Sequence, residues 1–502
     1  MKFQKLTAVA RTVGCLILFS GFPLGLKAVC AEAQLVISPQ SILSGKQQSA
    51  TNICPAQLPE AIDAIVDRPE YQRLHWGILI QTLSPPRTLY SRNAQQYFTP
   101  ASNAKLFTTA AALLQLGSDF RIRTSVYGKD GIVRLVGRGD PSLTDAQLRD
   151  LAQQLRRQGI RQIQQLIVQD GYFQALSLNP TWEWEDLYAD YGAPVNSLIL
   201  NQNVVKLQLS PQEIGQPVKI TWNDPFAVGQ WQIENQTLTV ASGTKSDFEV
   251  NGILGKSSLQ IRGQMAIDSP PEELSIPVRD PGEQILQHFK LALNQEGISV
   301  AESQIINNAE KTNEPELAFV ESPPLLQLIA DTNQPSNNLY AEVLLRTLGV
   351  RNSTILNQDT VTLGLNIIKT TLANLGVDRE SFILVDGSGL SRRNLVSPTS
   401  LVQTLQAISQ SPQAETFRTS LPVAGVSGTL QNRFKNTPAL GIVYAKTGTL
   451  TGVVTLSGYV DAPNYERLVF SIMVNKSNQS AQVIRQSIDE IVLLLTGLSR
   501  CK

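Results

Sequence analysis

A serine and a lysine three positions apart, Ser102 and Lys105, open a run of strong helix formers that ends at Gly117. This spacing places both side chains on one face of the first turn of a helix. A serine hydroxyl is a poor nucleophile until a base removes its proton, and a lysine is such a base only when its pKa is lowered by burial or a second cation. The helix N-terminus adds a positive field that favours a developing alkoxide. Taken alone, the spacing more often marks an N-capping serine followed by a surface lysine.

Two further motifs favour a catalytic role for the Ser102-x-x-Lys105 motif. Ser336-Asn-Asn338 lies on a corner between two predicted helices, and Lys446-Thr-Gly lies on the first of three strands predicted over residues 443–449, 453–460 and 468–474. Each motif is weak by itself. All three, in this order and in these structural contexts, are typical of penicillin-binding proteins and serine β-lactamases.

The motif residues predict a coherent acyl-transfer chemistry. Lys105 takes the proton of Ser102, and Ser336 and Lys446 lie where a proton can pass to the departing amine. Asn338 is expected to orient the lysine base and the substrate amide.

The strand that carries the third motif is expected to bind the substrate. Lys446 supplies a positive charge for a substrate carboxylate and keeps its neighbouring lysine neutral, and the hydroxyls of Thr447 and Thr449 are further donors. Gly448 lets the strand backbone approach the ligand closely. The N–H groups of Ser102 and Thr449 are expected to form an oxyanion hole, a contribution on the order of 3 kcal/mol per donor.

The chain resembles the class C low-molecular-mass penicillin-binding proteins, the D-alanyl-D-alanine carboxypeptidase/endopeptidase family, from about residue 55 to 500. Ser102 and Ser336 are 234 positions apart, which matches the long insertion of that family and exceeds what a simple β-lactamase needs. Ser427 departs from the acidic residue more often found there. Four further segments carry the resemblance: Gly137-Arg-Gly-Asp-Pro-Ser-Leu143, Tyr191-Gly-Ala-Pro194, Asp386-Gly-Ser-Gly-Leu-Ser391 and Ala424-Gly-Val-Ser-Gly-Thr-Leu430.

The resemblance implies an α/β penicillin-recognising domain, with an antiparallel sheet and helices, that is interrupted by an inserted α/β domain carrying a nested all-β domain. The expected ranges are a signal peptide (1–33), a flexible leader (34–53), the catalytic domain (54–120 and 315–502), the inserted domain (121–195 and 266–314) and the nested domain (196–265). The resemblance also implies hydrolysis of D-Ala-D-Ala termini and D-Ala-diaminopimelate cross-links of peptidoglycan stem peptides. The reaction would pass through an acyl-enzyme on Ser102, and β-lactams would be covalent inhibitors.

The resemblance further implies a substrate pocket beside the catalytic motifs. Asp186 matches the acidic position of the family's Trp-x-Trp-x-Asp segment and is expected to bind the free amine of a diaminopimelyl tip, with Arg392 as the partner of the adjacent carboxylate. Trp184 and Tyr191 are expected to wall this pocket. The alternative is that Asp186 merely caps a turn.

The N-terminus reads as an export signal. Lys2, Lys5 and Arg11 precede an apolar run over residues 13–26, and Ala31-Glu-Ala33 offers a cleavage site. A retained membrane anchor is the competing interpretation, but the run is short for a span and is interrupted by glycine and proline. We therefore expect an exported, periplasmic or cell-envelope protein without a membrane span in the mature chain.

The charge balance and the cysteine and histidine content limit which partners, disulfides and cofactors are expected. The chain has 42 Lys+Arg and 42 Asp+Glu, so its balance gives no reason to expect nucleic-acid binding. Without the signal peptide, two cysteines remain, Cys54 and Cys501, and an oxidising compartment would let them pair; two unpaired cysteines are the alternative. The two histidines, His75 and His288, lack metal-ligand spacing, so we expect no metal and no cofactor and regard both as structural.

Two other functions stay open from the sequence. A serine β-lactamase would share the nucleophile, but after Ser336 there is no Glu-x-x-Leu-Asn segment of the kind that positions the hydrolytic water in class A enzymes. A non-catalytic cell-wall-binding protein would have no need to keep all of the motif residues intact.

Overall fold

The computed structural model describes residues 52–308, 313–351 and 359–501; the predicted signal peptide and nearly all of the predicted leader lie outside these ranges. The strands are β1 His75–Thr82, β2 Thr88–Arg92, β3 Arg123–Lys129, β4 Ile132–Val136, β5 Gln162–Gln169, β6 Val204–Ser210, β7 Lys219–Trp222, β8 Gln232–Val240, β9 Asp247–Gly252, β10 Ser258–Ala266, β11 Glu272–Pro277, β12 Ser299–Ile306, β13 Glu316–Glu321, β14 Phe382–Ile383, β15 Leu395–Val396, β16 Val443–Leu450, β17 Val453–Val460 and β18 Leu468–Asn475. The α-helices are α1 Leu58–Val66, α2 Lys105–Leu116, α3 Asp145–Arg157, α4 Pro281–Gln295, α5 Leu325–Asn333, α6 Asn338–Arg351, α7 Thr360–Ala373, α8 Pro398–Ser409, α9 Ala414–Thr419 and α10 Ala481–Thr496.

The sheet that carries the third motif is built from both ends of the chain. Its order is β16-β17-β18-β1-β2, with antiparallel neighbours throughout. Every residue of β17 and β18 is buried, because α1 and α10 cover one face and a helical cluster covers the other. A strand covered on both faces needs apolar or small residues in near-continuous runs, as these two strands have. The predicted meander is therefore confirmed, and β16 forms an edge of this sheet.

Helix α2 is the centre of the helical cluster. Nine of its twelve residues are buried, and it packs against α5, α6, α7 and α8. Ala110, Ala111 and Ala112 are fully buried, since small side chains let neighbouring helices approach closely on several sides. This packing fixes the N-terminal end of α2, where the Ser-x-x-Lys motif lies, against the sheet.

A second five-stranded sheet, of order β12-β5-β4-β3-β13, forms between β2 and α5 in the sequence. Helices α3 and α4 pack on it and on each other. Strands β12 and β13 were not expected from the sequence. In β12 every residue is at least partly exposed, which removes the apolar alternation that identifies a strand.

Two small three-stranded sheets, β8-β10-β9 and β11-β6-β7, share one apolar core. Strand β11 lies after residue 265, the expected end of the nested domain, yet it pairs antiparallel with β6 over Glu272–Pro277. The strand pairing of this module therefore continues beyond the expected boundary. Charged residues at the start of β11 concealed its alternation.

The two histidines contact side chains from other segments of the chain. His288 lies between two carboxylates, with Nδ1 2.5 Å from Asp145 and Nε2 2.9 Å from Asp224. Although burial lowers the pKa of His288, the two carboxylates outweigh it and raise this pKa to about 9. The ring of His75 stacks on Phe98. Through these two pairs, His288 in the middle of α4 is joined to the start of α3 and to the turn after β7.

A disulfide between Cys54 and Cys501 joins the two ends of the described chain, with Cα atoms 5.4 Å apart. Ile53 lies in a bridge with Leu498 beside it, so the first and last helices are held together on one sheet. Within the described ranges, no helix has the length and apolarity needed to cross a membrane.

Candidate active site

The candidate nucleophile lies on a short 3₁₀ turn, Ala101–Ala104, that leads into α2. The sequence predicted Ser102 within the first α-helical turn, and the tighter turn is a correction of that expectation. Ala101 has φ +48°, a value uncommon for a residue with a side chain. The turn is pinned to the sheet because Asn103 Nδ2 donates to Ser457 Oγ at 2.7 Å and Thr455 Oγ1 donates to the Pro100 carbonyl at 2.9 Å.

Lys105 is fully buried, and its amine meets three oxygens. Nζ lies 2.9 Å from Ser102 Oγ, 2.6 Å from Asn338 Oδ1 and 2.7 Å from the Ser388 carbonyl oxygen. Burial lowers the pKa of Lys105 to about 7. A neutral amine has two N–H bonds and one lone pair. If the two N–H groups go to Asn338 and Ser388, the lone pair is directed at the serine hydroxyl.

The Ser336-Asn-Asn338 corner supplies the next two residues. Ser336 has φ +66° between α5 and α6, and its Oγ accepts a hydrogen bond from Lys446 Nζ at 2.8 Å. While Asn338 Oδ1 contacts Lys105, its Nδ2 donates to the carbonyl of Tyr191 at 3.0 Å. The amide is therefore held from both sides. We call Ser102, Lys105, Ser336, Asn338 and Lys446 the catalytic cluster; the structure brings all five together.

Lys446 is as buried as Lys105. Its amine donates to the Thr447 carbonyl at 3.0 Å as well as to Ser336. Burial first, and then the charge of Lys105, hold the pKa of Lys446 well below its usual range. Two lysines in one dry site disfavour a second positive charge, which is the condition under which an amine exchanges protons near neutral pH.

Gly448 is required by the protein rather than only by a ligand. A Cβ at this position would lie 2.2 Å from Thr455 Oγ1, 2.9 Å from the Pro100 carbonyl and 3.0 Å from Ala101 Cβ. The expectation that this glycine serves close ligand approach is thus extended: it lets β16 pack against the turn that carries the serine. Thr447 Oγ1 donates to Thr429 Oγ1 at 2.7 Å, and the exposed Thr449 has its Oγ1 3.1 Å from Arg485 Nη2.

The loop 386–394 forms the floor beneath the lysine. The Asp386 carboxylate accepts from the backbone N–H groups of Gly389 and Ser391, at 2.8 and 2.7 Å, and from the side chains of Trp182 and Asn394. Gly389 has φ +82°, and a Cβ there would lie 1.8 Å from the Ala101 carbonyl. These contacts fix the loop that presents the Ser388 carbonyl to the lysine.

A fully buried ion pair, which was not predicted from the sequence, lies behind this loop. Glu342 Oε1 accepts from the N–H groups of Gly387 and Ser388 at 2.8 and 2.9 Å, and its other oxygen pairs with Arg346 at 3.0 Å. Burial and Asp386 raise the pKa of Glu342, against the lowering effect of Arg346. The i, i+4 spacing of Glu and Arg on α6 was the available signal, but such pairs usually lie on helix surfaces.

A recess beside the cluster contains the predicted pocket residues; we call it the side recess. It has a volume of about 210 Å³ and is lined by Glu183, Trp184, Asp186, Tyr191, Arg392 and Thr451 among others. Asp186 is largely buried and its pKa is raised by burial, and Tyr191 donates its hydroxyl to this carboxylate at 3.2 Å. Trp184 is 45% exposed. Arg392 already pairs with Glu183 at 2.8 Å and donates to the Thr451 carbonyl.

A larger cavity, of about 810 Å³, opens on the other side of Tyr191. Its lining combines the Ser336 corner with α3, α4 and the β6–β7 module. Ser336 and Asn338 line this cavity, so the catalytic cluster borders the space between the helical cluster and the inserted segments.

A serine on a turn at a helix start, a buried lysine beside it, and a second lysine on an edge strand define a serine acyl-transfer enzyme of the penicillin-recognising fold. Residues 58–496 match the D-Ala-D-Ala carboxypeptidase 3 (S13) family. The chain belongs to that family, as a class C low-molecular-mass penicillin-binding protein and serine-type carboxypeptidase.

Individual relatives agree with this assignment. The chain is 32% identical over 475 residues to a D-alanyl-D-alanine carboxypeptidase of Actinomadura sp. (strain R39), covering 90% of this chain and 87% of the relative. It is 32% identical over 465 residues to a penicillin-sensitive carboxypeptidase A of Dictyostelium discoideum, covering 84% and 87%. The crystal structure of penicillin binding protein 4 from Haemophilus influenzae has the same fold, with a TM-score of 0.75, 24% identity and coverage of 86% of this chain and 98% of that one.

Proposed function

We propose that Ser102 is the nucleophile of an exported DD-peptidase that cleaves both D-Ala-D-Ala termini and D-Ala-diaminopimelate cross-links of peptidoglycan. The observation that carries the proposal is the set of three oxygens around Lys105 Nζ. It leaves a neutral amine one direction for its lone pair, toward the serine. Because a pKa of about 7 makes that neutral form abundant near neutral pH, Lys105 is suited to act as the base.

The steps follow from these contacts. Ser102 Oγ bonds to the carbonyl carbon of the penultimate D-Ala while its proton passes to Lys105 Nζ. The N–H groups of Ser102 and Thr449 stabilise the oxyanion. The proton held by Lys105 then passes through Ser336 and Lys446 to the amide nitrogen, the C–N bond breaks, and the terminal D-Ala leaves. Water then adds to the ester carbonyl, its proton passes through Lys105 to Ser102 Oγ, and the shortened stem peptide leaves as a carboxylic acid.

The side recess is proposed to hold the diaminopimelyl tip of the stem peptide. Asp186 pairs with its free amine, and a carboxylate on the same tip shares the Arg392 guanidinium with Glu183. Trp184 and Tyr191 bound the recess and limit access of water, which strengthens such pairs. Export is supported by the Cys54–Cys501 disulfide, since such bonds form and persist in oxidising compartments.

Two measurements test the catalytic proposal. Incubation with benzylpenicillin should give a covalent adduct that peptide mass spectrometry locates on Ser102, and the purified protein should release D-Ala from an acylated D-Ala-D-Ala peptide. Defined cross-linked peptidoglycan dimers then test the endopeptidase activity, with products identified by mass. An adduct on another residue, or persistent labelling of Ser102→Ala, would remove Ser102 from the nucleophile role.

A further inference from the structure

The larger cavity lies on the side of the leaving group. Ser336, which relays a proton to the leaving nitrogen in the proposed mechanism, lines this cavity together with Asn338. The side recess, proposed for the tip of the acyl-side stem peptide, is a separate space, and within the described part of the chain Tyr191 alone lines both. A volume of about 810 Å³ is typical of pockets that hold a drug-sized ligand. The cavity is therefore much larger than the release of a single D-Ala requires.

An unusual turn presents Gln202 to this cavity. Asn201, Gln202 and Asn203 have φ values of +50°, +61° and +53°, which are uncommon for residues with side chains and here occur three times in succession. The turn is held by the buried Asn203, whose Nδ2 donates to the Pro194 carbonyl and to Asn196 Oδ1, both at 2.8 Å. Backbone of this kind persists where its surroundings fix it, and it is concentrated at functional sites.

The side chain of Gln202 is oriented by the catalytic corner. Its Oε1 accepts from Nδ2 of Asn337, the middle residue of the Ser336-Asn-Asn338 corner, at 2.7 Å. Asn337 is itself fixed, because its Oδ1 accepts from the N–H of Tyr340 at 3.1 Å. Gln202 is exposed and lines the cavity, and its Nε2 donates to no group of the described residues. An amide whose oxygen is bound in this way keeps two N–H donors for a ligand.

A cation lines the same cavity. Arg149 on α3 is exposed and forms no ion pair within the described ranges. Asp145, one turn earlier on this helix, is already bound by His288. Asp190 lies at the end of the cavity next to Tyr191 and accepts the N–H of that residue at 2.8 Å. The guanidinium of Arg149 is therefore available to a ligand carboxylate.

We propose that the larger cavity binds the second stem peptide of a cross-link, the part that leaves when the D-Ala-diaminopimelate bond is cut. Gln202 Nε2 donates to a carbonyl of this leaving peptide, and Arg149 pairs with one of its carboxylates. A diaminopimelate-type stem peptide suits the cavity because it carries carboxylates along its length as well as backbone carbonyls. This inference rests on the proposed function and adds where the second peptide is held. Gln202 and Arg149 are specificity residues and take no part in the proton transfers.

The experiment compares two substrates that share the acyl side and differ in the leaving group. One is a stem peptide ending in D-Ala-D-Ala, and the other is the same stem peptide cross-linked through its D-Ala to a second stem peptide. Wild type, Gln202→Glu and Arg149→Gln are assayed on both, with products identified by mass and kcat/KM measured for each. Arg157→Gln is the matched control, because Arg157 is an exposed arginine of the same helix that does not line the cavity.

Gln202→Glu keeps an oxygen for Asn337 but removes the N–H donors and adds a negative charge. It should therefore lose about tenfold in kcat/KM on the cross-linked dimer and less than twofold on the D-Ala-D-Ala peptide. Arg149→Gln should lose about fivefold on the dimer, again with less than a twofold change on the other substrate. Raised salt should narrow the difference between wild type and Arg149→Gln on the dimer. The control should match wild type on both substrates.

Equal losses of Gln202→Glu on both substrates would mean that Gln202 only supports the catalytic corner, and would overturn the inference. Wild-type activity of Arg149→Gln on the dimer would overturn it as well. If Gln202→Glu does not fold, as judged by its melting temperature, Arg149→Gln decides, because the exposed Arg149 has no ion pair to lose in the described ranges. Failure of the proposed function is seen in wild type itself, which would then leave the dimer intact or release no D-Ala.

Discussion

The catalytic cluster and the side recess differ in how their charged groups are held. Both lysines of the cluster are fully buried, and the cluster joins three distant parts of the chain: the turn of Ser102 and Lys105, the corner of Ser336 and Asn338, and the strand of Lys446. In the recess, Trp184 is 45% exposed and Arg392 pairs with a half-exposed Glu183. The cluster is therefore fixed before substrate arrives, whereas the recess keeps solvated groups that can exchange partners. Reaction chemistry needs the first arrangement, and selection among stem peptides is compatible with the second.

The largest expected effect is in the cluster. Ser102→Ala should abolish penicillin labelling and reduce kcat/KM for D-Ala release by about 10⁴-fold or more, because no other group replaces the nucleophile. Radiolabelled or fluorescent penicillin on a gel, with D-Ala release assayed in parallel, measures both. Trp184→Ala, in the recess, should keep full labelling. If Ser102→Ala released D-Ala near the wild-type rate, the reaction would not take place at the cluster, and the contrast between the cluster and the side recess would not hold.

A second test concerns the ion pair behind the cluster. Glu342→Gln should lower the free energy of unfolding by about 3–5 kcal/mol, because it leaves the Arg346 charge buried without its partner. The exposed pair of Glu415 and Arg418 provides the control: Glu415→Gln should cost no more than about 1 kcal/mol. Denaturant unfolding curves give both values.

The double variant sharpens this test. Glu342→Gln with Arg346→Met removes both buried charges, so it should be more stable than Glu342→Gln alone. Glu342 also favours the charged form of Lys105. Its removal should therefore shift the acid limb of penicillin acylation to lower pH. A double variant less stable than the single one would mean that Arg346 has a role other than charge balance.

These two regions also show what the sequence could predict. The sequence predicted that Ser102, Lys105, Ser336, Asn338 and Lys446 come together, because acyl transfer restricts the residue types and the motifs fit a helix start, a helix–helix corner and a strand. Glu342 was missed because nothing in a helical run tells whether a charged residue faces the core or solvent. Strand β12 was missed for a related reason: its partly exposed residues show no alternation. Long-range contacts decide both cases.

The pH dependence of the cluster gives a third prediction. The pKa of Lys105 falls from an ordinary 10.5 to about 7 in the folded protein, so the neutral base is abundant above pH 7 and becomes scarce below it. The second-order rate constant of benzylpenicillin acylation should therefore rise with pH, with a midpoint near pH 7, and reach a plateau above it. At pH 5 it should be about 100-fold lower than on this plateau. Stopped-flow or quenched labelling from pH 5 to 9 measures the limb. A rate constant that keeps rising toward pH 10 would mean that the pKa of Lys105 is not lowered and that more water reaches the cluster than its burial indicates.

The smallest expected effect is in the recess, at Asp186. Asp186→Asn keeps the shape of the side chain and its contact with Tyr191 but removes the charge that would meet the diaminopimelyl amine. We expect kcat/KM to fall by about tenfold on a peptide bearing that free tip, and to stay unchanged on a small acylated D-Ala-D-Ala peptide that lacks it. Asp190→Asn is the matched control, because Asp190 belongs to the same segment but lines the larger cavity instead.

The reason for a modest effect is that Trp184 and Glu183 in the lining of the recess are about half exposed, so solvent still competes with the ion pair. In the free protein, burial raises the pKa of Asp186, and a bound ammonium lowers it again. The loss should therefore be greatest at a pH where the wild-type carboxylate is fully ionised, and should shrink as the pH falls through the raised pKa of Asp186. Equal losses on both peptides would assign Asp186 to holding the segment around Tyr191 in place. The Tyr191 carbonyl also accepts a hydrogen bond from the Asn338 side-chain amide. That outcome would therefore mean that the recess residues hold the catalytic cluster in place and do not bind the substrate tip.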